Sequence, residues 1–128
     1  MKNKLEKLLN NAYAPYSKFL VSCVLITKDN KEFFGVNVEN ASYSSGICAE
    51  RSAIVSAISS GYKKEDFKEL HVMVSSGNIS MPCFACRQVI CEFFKKEAKV
   101  YCYSTTGEVI VHTVEELCPY PFESDDLV

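Results

Sequence analysis

The amino-acid sequence predicts an α/β fold with a five-stranded mixed sheet covered by helices. Apolar residues recur at helical spacing in four segments, and five shorter segments are rich in β-branched and apolar residues. Turn residues separate these segments, which gives the element order α-β-β-α-β-α-β-β-α. The connection within the last strand pair is so short that it permits only antiparallel pairing. This order implies a mixed sheet.

The first part of the chain predicts one helix and one hairpin. Apolar residues recur at helical spacing over residues 5–12, and Pro15 prevents that helix from continuing. Residues 19–27 and 32–38 predict two strands that pair across a polar turn. A serine-rich loop over residues 41–47 then leads to the second helix.

The middle of the chain predicts two helices separated by a short buried strand. We expect the second helix to end near Gly61, which suits a helix C-terminus. Residues 70–74 form the predicted strand. The third helix opens at Pro82, a residue favoured in the first helical turn, and runs to about Lys96.

The last part of the chain predicts a second hairpin and a short helix. Residues 100–103 and 109–112 form the two strands. Residues 113–116 match a capping box, in which a threonine and a glutamate satisfy the first backbone N–H groups of a helix. We expect residues 1–128 to form a single domain, because the chain has the length of one and contains no linker or repeat.

Composition and charge exclude several classes of function. The chain has 128 residues, 48% of them hydrophobic, as in packed globular proteins. The formal net charge of −2 and the dispersed basic residues disfavour a polynucleotide partner, which requires a basic surface. No apolar run approaches the roughly 20 residues of a membrane span, and residues 1–7 lack the apolar core of a signal peptide. We therefore expect a cytoplasmic protein without a nucleic-acid or membrane partner.

The cysteines of the chain predict a catalytic zinc site. Cys48 and Glu50 fall in the first turn of the second helix, where both side chains can reach a point beyond the helix end. Cys83 and Cys86 are three residues apart and share one face of the third helix. Three thiols and a spare carboxylate around one point indicate a zinc ion with an open fourth position. The other four cysteines are expected to be small buried hydrophobes: Cys23, Cys91, Cys102 and Cys118.

A structural zinc would instead be closed by a fourth protein ligand. Three residues could supply it, but none fits well. Cys91 lies five residues beyond Cys86 and off its helix face. His71 and His112 lie in predicted strands, where a histidine is more often structural than a ligand. We therefore leave the fourth position to water, whose pKa zinc lowers towards about 7.

Glu50 and Arg51 each have a chemical interpretation and a simpler alternative. Glu50 can move protons between water and substrate, although an acid at a helix N-terminus is also common for electrostatic reasons alone. Arg51 can offset the negative charge of three thiolates on Zn²⁺, and a surface arginine is the simpler alternative.

The sequence resembles the cytidine deaminase family, specifically its short homotetrameric class with three cysteine ligands. The resemblance rests on residues 13–19, 37–41, 48–51 and 86–89 and on the tail over residues 121–127. The order of a ligand, a glutamate two residues on and then P-C-x-x-C is that of zinc deaminases. The resemblance implies a three-layer α/β/α sandwich with one Zn²⁺ per chain.

The resemblance also implies the reaction and most of the substrate site. It implies hydrolytic deamination of cytidine and deoxycytidine to uridine and deoxyuridine in pyrimidine salvage. In relatives, the position of Phe19 packs on the pyrimidine, those of Asn37 and Glu39 hold the ribose hydroxyls, and that of Ala49 offers a backbone contact to the base. From composition alone, Phe19 and Phe122 would be core residues, and Asn37 and Glu39 a polar strand edge.

Two further positions, those of Tyr43 and Phe122, complete the pocket across subunits of a homotetramer in the resembling family. The chain departs from the family pattern at residues 22–23, at Met81 and at Phe84, which stands between two predicted zinc ligands where glycine is common. The departure at Phe84 bears on the substrate preference and not on the reaction, because a bulky side chain beside two ligands can reshape the rim of the pocket.

Other functions stay open from the sequence. A deaminase of another aminopyrimidine nucleoside, of the blasticidin S type, shares the three-cysteine site. Deaminases of nucleotides or polynucleotides usually carry histidine where this chain has Cys48. A non-catalytic zinc-binding module would have no use for Glu50 beside an open metal position.

Overall fold

The computed structural model of the protein describes residues 1–127 and confirms the predicted order of helices and strands. The elements in chain order are α1 (Lys2–Leu9), β1 (Val21–Thr27), β2 (Glu32–Val36), α2 (Ala49–Ser59), β3 (Phe67–Val74), α3 (Phe84–Phe93), β4 (Lys99–Tyr103), β5 (Val109–Thr113) and α4 (Val114–Leu117). Val128, the last residue of the predicted single domain, lies outside the described residues. That residues 1–128 form one domain stays a prediction.

Several predicted bounds were wrong by a few residues. β3 begins at Phe67, three residues before the predicted start, because Phe67 pairs with Thr27 and is buried in the core. α3 ends at Phe93 rather than near Lys96, because Phe94 adopts an extended backbone with φ −105° and ψ 150°. Two short 3₁₀ helices, Tyr43–Ser45 and Ser124–Leu127, were not predicted.

The sheet is mixed, as predicted, with the strand order β2-β1-β3-β4-β5. β1 pairs antiparallel with both β2 and β3, and β4 pairs antiparallel with β5. β3 and β4 are parallel, because α3 carries the chain back between them. β2 and β5 form the two edges. In β5, Val109, Ile110 and Val111 are 46%, 43% and 44% exposed.

Helices cover both faces of the sheet and give the three-layer sandwich that the resemblance implied. On one face, Leu5 of α1 packs in a cluster with Met73 of β3. On the other face, Ile54 of α2 and Ile90 of α3 pack in a larger cluster with Leu70 of β3. The N-termini of α2 and α3 lie on this second face.

Gly35 allows α2 to lie unusually close to β2. A Cβ atom at Gly35 would lie 2.2 Å from the carbonyl oxygen of Ala49 and 2.6 Å from the backbone nitrogen of Ala53. A side chain there would push the first turn of α2 away from the sheet. The glycine therefore fixes the depth at which the N-terminus of α2 sits.

The last helix, α4, begins with the predicted capping box. The Thr113 hydroxyl accepts a hydrogen bond from the backbone N–H of Glu116 at 3.1 Å, and the Glu116 carboxylate accepts one from the Thr113 N–H at 2.9 Å. Over residues 1–127, no helix has both the length and the apolar character needed to cross a bilayer.

Candidate active site

Three cysteines from two helix N-termini form the centre of the site. Cys48 is the residue before α2, Cys83 is the residue before α3, and Cys86 lies in the first turn of α3. Cys86 is fully buried, Cys48 is half-buried and Cys83 is exposed. The three thiols therefore line a site that has a closed floor and an open side.

The spacing of the three sulfurs fits a zinc ion. All three Sγ atoms lie within 4.8 Å of one another, and those of Cys48 and Cys83 are 4.0 Å apart. Zinc–thiolate bonds of about 2.3 Å in a tetrahedron place sulfurs roughly 3.8 Å apart. Among residues 1–127, no histidine, aspartate or glutamate joins this group. Three protein ligands and one open position are the donor set of catalytic zinc sites.

Arg51 lies directly beside the first thiol. Its Nη2 donates a hydrogen bond to the Cys48 sulfur at 3.4 Å, and the hydrogen bond to that sulfur raises the pKa of Arg51 above its ordinary value. A hydrogen bond from the Cys86 thiol, followed by the one from Arg51, lowers the pKa of Cys48 to about 5 despite the opposing effect of burial. The arrangement favours Cys48 as a thiolate, the form that binds metal.

Glu50 is a buried carboxyl group on the same helix turn. It is 5% exposed, and burial, followed by the charge of Cys48, raises its pKa to about 7. A carboxyl group with a pKa near neutrality can both accept and release a proton under physiological conditions. Glu50 is therefore suited to proton transfer.

Two neighbouring cavities open onto the cysteines. The smaller, of about 270 Å³, is lined by Phe19, Glu50 and Cys83 among others. The larger, of about 500 Å³, is lined by Tyr43 and Arg51 among others. Both cavities share four residues: Ser17, Asn37, Glu39 and Cys48. Glu50, Asn37 and Glu39 all line the smaller cavity, so a ligand there could contact all three.

Asn37 and Glu39 hold the wall of this cavity together. The Asn37 amide accepts from the Val21 N–H at 2.8 Å and donates to the Phe19 carbonyl at 2.8 Å. The Glu39 carboxylate accepts from the Ser17 N–H at 3.1 Å and from the Ser17 hydroxyl, and these bonds lower its pKa. Glu39 is thus an anion that Ser17 holds in place in the wall of both cavities. Such a carboxylate can accept hydrogen bonds from the hydroxyl groups of a ligand.

Comparison with known proteins agrees with this geometry. The family model described as the cytidine and deoxycytidylate deaminase zinc-binding region matches residues 1–104. The chain belongs to this family. It is 40% identical over 122 residues to a cytidine deaminase of Sporosarcina psychrophila, which covers 95% of this chain and 88% of the relative.

Solved structures of cytidine deaminases share the fold. The crystal structure of the Burkholderia pseudomallei enzyme superimposes with a TM-score of 0.90 at 40% identity and covers 94% of both chains. The enzyme from Mycobacterium tuberculosis gives a TM-score of 0.79 at 28% identity, over 95% of this chain and 94% of that one. As a member of the cytidine and deoxycytidylate deaminase family, the chain is a zinc-dependent enzyme, and its cysteine cluster fits one Zn²⁺ per chain.

The remaining residues proposed for substrate binding differ in their exposure and in whether they line a cavity. Ala49 is fully buried and lines neither cavity. Tyr43, 81% exposed, lines the larger cavity, whereas Phe122 lies away from both cavities of its own chain and is 56% exposed. Phe19 is 38% exposed. Phe19 and Phe122 are therefore not the core residues that composition alone suggests.

The alternative ligands lie elsewhere. The His71 Nδ1 atom is 2.8 Å from the Tyr103 hydroxyl, in the layer that faces α1. His112 lies 3.7 Å from the Glu116 carboxylate. The predicted burial of the other four cysteines is confirmed for Cys23 and Cys102. It is wrong for Cys91 and Cys118, which are half-buried.

Sequence analysis missed two residues that contact the site. Ser17 binds Glu39 and lines both cavities. Arg87 binds the backbone beside Cys83. Both belong to segments that carry the family resemblance, residues 13–19 and 86–89, but no sequence pattern reveals which atoms they contact.

Proposed function

We propose that the protein hydrolyses cytidine and deoxycytidine to uridine and deoxyuridine with release of ammonia, as an enzyme of pyrimidine salvage. The observation that carries this proposal is a cluster of three thiols beside one buried carboxyl group, Glu50, which lines the same cavity as Cys48 and Cys83. The relatives named cytidine deaminase support the substrate class. Glu50 argues against a non-catalytic zinc module, because burying a carboxyl group is costly and such a module has no use for one beside an open metal position.

The metal is assigned to Cys48, Cys83 and Cys86. When bound, zinc supplies the Lewis acidity that makes water a nucleophile at neutral pH. Arg51 offsets the negative charge that three thiolates bring to the site, from its position 3.4 Å from the Cys48 sulfur. The positive N-terminal ends of α2 and α3 act in the same direction.

Glu50 is assigned the proton transfers. It accepts a proton from the attacking water and delivers it to the ring nitrogen N3 of the base. It then accepts the remaining proton from the oxygen now bonded to C4 and transfers it to the exocyclic amino group, which leaves as ammonia as the C4–N bond breaks. One water is consumed and one ammonia released, so Glu50 ends each cycle as it began. Its burial, which raises the pKa to about 7, suits a group that takes and returns protons.

The cavity walls are assigned the recognition of the nucleoside. Phe19 packs on the pyrimidine ring, and the backbone of Ala49 contacts the base. Asn37 and Glu39 hold the ribose hydroxyls, and Ser17 keeps the Glu39 carboxylate in place. The fixed anion at Glu39 favours a neutral nucleoside over a nucleotide, whose phosphate it would repel.

An ultraviolet assay of purified protein tests the reaction directly. We expect the absorbance change of cytidine deamination with cytidine and with deoxycytidine, and about one equivalent of zinc per chain by elemental analysis. Blasticidin S and cytidine monophosphate are assayed separately as alternative substrates. Turnover of blasticidin S without turnover of cytidine would replace the proposed substrate. Two equivalents of zinc, or undiminished zinc in Cys83→Ala, would overturn the proposed ligand set.

The protein is also proposed to act as a cytoplasmic homotetramer with shared active sites. The exposed Tyr43 and Phe122 support sharing, since each has a ring available to a neighbouring chain. The Phe122 carbonyl accepts a hydrogen bond from Gln88 Nε2 at 2.9 Å, so the tail is attached to α3 while its ring stays exposed.

Light scattering tests the assembly, for which we expect four times the 14.4 kDa of one chain. Truncation before Phe122 should raise the KM for cytidine and leave the zinc content unchanged. A fully active monomer would refute shared sites and leave the deaminase chemistry intact.

A further inference from the structure

Arg87 makes three contacts around the start of α3. Its Nε donates to the carbonyl of Pro82 at 2.7 Å, and its Nη1 donates to the carbonyl of Leu117 at 3.0 Å. The guanidinium carbon lies 4.3 Å from the centroid of the Phe84 ring. The chain has only two arginines, and both lie in the first turns of the helices that carry the metal ligands.

Both carbonyls need a partner from outside their own helix. Pro82 precedes α3, and Leu117 is the last residue of α4, where the final carbonyls of a helix have no intrahelical donor. Both residues are buried, and a buried carbonyl without a donor is costly. Arg87 supplies both donors from one planar group.

The Pro82 carbonyl matters because it belongs to the peptide bond that joins Pro82 to Cys83, a proposed zinc ligand. The carbonyl of Pro82 and the nitrogen and Cα of Cys83 belong to one rigid peptide plane. A hydrogen bond that fixes this carbonyl therefore fixes the point from which the Cys83 thiol extends. α3 has no side-chain cap at its N-terminus that could do the same.

Cys83 is also the ligand with the least other support. Cys86 is held by complete burial, and Cys48 is hydrogen-bonded to Arg51. Cys83 is exposed, and within residues 1–127 its one side-chain hydrogen bond is the 4.0 Å contact with Cys48.

We infer that Arg87 is a positioning residue for the metal site, which holds the Pro82–Cys83 peptide plane and ties it to the end of α4. This inference rests on the ligand set proposed above. Lysine could keep the charge but not the function, because only the planar guanidinium presents two donors in a fixed fork. Arg51 acts on a sulfur, whereas Arg87 acts on the backbone that carries one.

The rate of zinc transfer to a colorimetric chelator tests the inference without measuring activity. Arg87→Ala and Arg87→Lys should both release zinc about 10–100-fold faster than the unmodified protein. Gln88→Ala is the matched control, since it removes a neighbouring α3 side chain that also binds a C-terminal carbonyl. It should release zinc at the unmodified rate.

A cobalt(II)-loaded sample gives a second measurement. Thiolate-to-cobalt charge-transfer absorption reports the number of bound thiolates, and in Arg87→Lys it should fall by up to about one third, the share of one ligand in three. An unmodified spectrum together with unmodified zinc release would overturn the inference.

Each remaining outcome also decides the question. If Arg87→Lys behaves as the unmodified protein while Arg87→Ala does not, charge alone suffices and positioning is wrong. If Arg87→Lys fails to fold by circular dichroism, Arg87 holds the fold rather than the ligand. Cys83→Ala separates the two proposals. Full zinc in that variant refutes the ligand set, whereas loss of zinc there with unaffected Arg87 variants refutes the role of Arg87 alone.

Discussion

The N-termini of α2 and α3 contribute to the same metal site but differ in nearly every other respect. Both begin with a cysteine, and both carry an arginine one turn later. Two residues after its first cysteine, α2 has Glu50, which is 5% exposed. The matching position of α3 is Ala85, which is exposed.

This difference separates the roles that we propose for the two helix ends. Burial can raise the pKa of a carboxyl group only where water is excluded, and of these two matching positions only that of Glu50 is buried. The N-terminus of α3 supplies two thiols. One of them, Cys83, is exposed, and we infer above that Arg87 holds it in position. In the proposed site, α2 thus supplies one thiol and the buried carboxyl group, whereas α3 supplies two thiols and no carboxyl group.

Glu50→Gln should produce the largest effect and is the strongest test of this asymmetry. We expect kcat to fall by about 10²–10⁴-fold, as for a general acid–base residue, with zinc content and fold retained. The double variant Glu50→Gln/Ala85→Glu should stay equally inactive, because a carboxylate at the exposed position keeps an ordinary pKa. Recovery of activity in the double variant would show that the two helix ends are interchangeable.

Arg51→Ala should weaken zinc binding by about 10–100-fold in a competition titration, because the thiolate charge loses its partner. Arg51→Lys should recover part of the loss, since it restores a charge beside the Cys48 sulfur. This pattern is opposite to that expected for Arg87, where lysine recovers nothing. Equal behaviour of the two lysine variants would remove the distinction between the arginines.

Gly35→Ala tests whether the depth of α2 matters. The added Cβ would overlap the backbone of Ala49 and Ala53, so we expect the free energy of unfolding in urea to fall by about 1–3 kcal/mol. Activity should fall as well, because Glu50 moves with the helix. Gly77→Ala is the matched control, since no atom lies within 4 Å of its added Cβ. It should change stability by less than about 0.5 kcal/mol.

Phe84→Ala should have the smallest effect, because its ring is 73% exposed and lines neither cavity. Loss of the contact with Arg87 should cost about 0.5–1 kcal/mol in thermal denaturation, the range of an exposed cation–π pair. The KM for cytidine should stay unchanged. A raised KM would mean that Phe84 reaches the site of a neighbouring subunit.

Local pattern was enough to predict the element order, the mixed sheet and the cysteine cluster, whereas the three-layer sandwich came from the family resemblance. Helical spacing, turn residues and the capping box act over a few residues, so the order of elements and the mixed sheet could be predicted. The bounds of β3 could not, because Lys68 and Glu69 interrupt its apolar run while pairing with neighbouring strands keeps the segment extended.

Contacts between segments that are far apart in the chain could not be predicted from the sequence. The bond from Arg87 to Leu117 joins residues 30 positions apart, and Gly35 approaches a helix that begins 14 residues later (49 − 35). Neither leaves a periodic pattern. Glu50 could be proposed from the sequence because the residues that suggest its role, Cys48 and Arg51, are its neighbours in the same helix turn.

The outer edge of β5 has a consequence for handling the protein. Within residues 1–127, β5 pairs only with β4, so its second row of backbone N–H and C=O groups faces outward. Natural edge strands are usually protected by lysine, proline or a bulge, whereas here Val109, Ile110 and Val111 are adjacent and each more than 40% exposed. An isolated chain therefore offers a template on which another copy can add a strand, so concentrated samples of the separated chain are prone to aggregate.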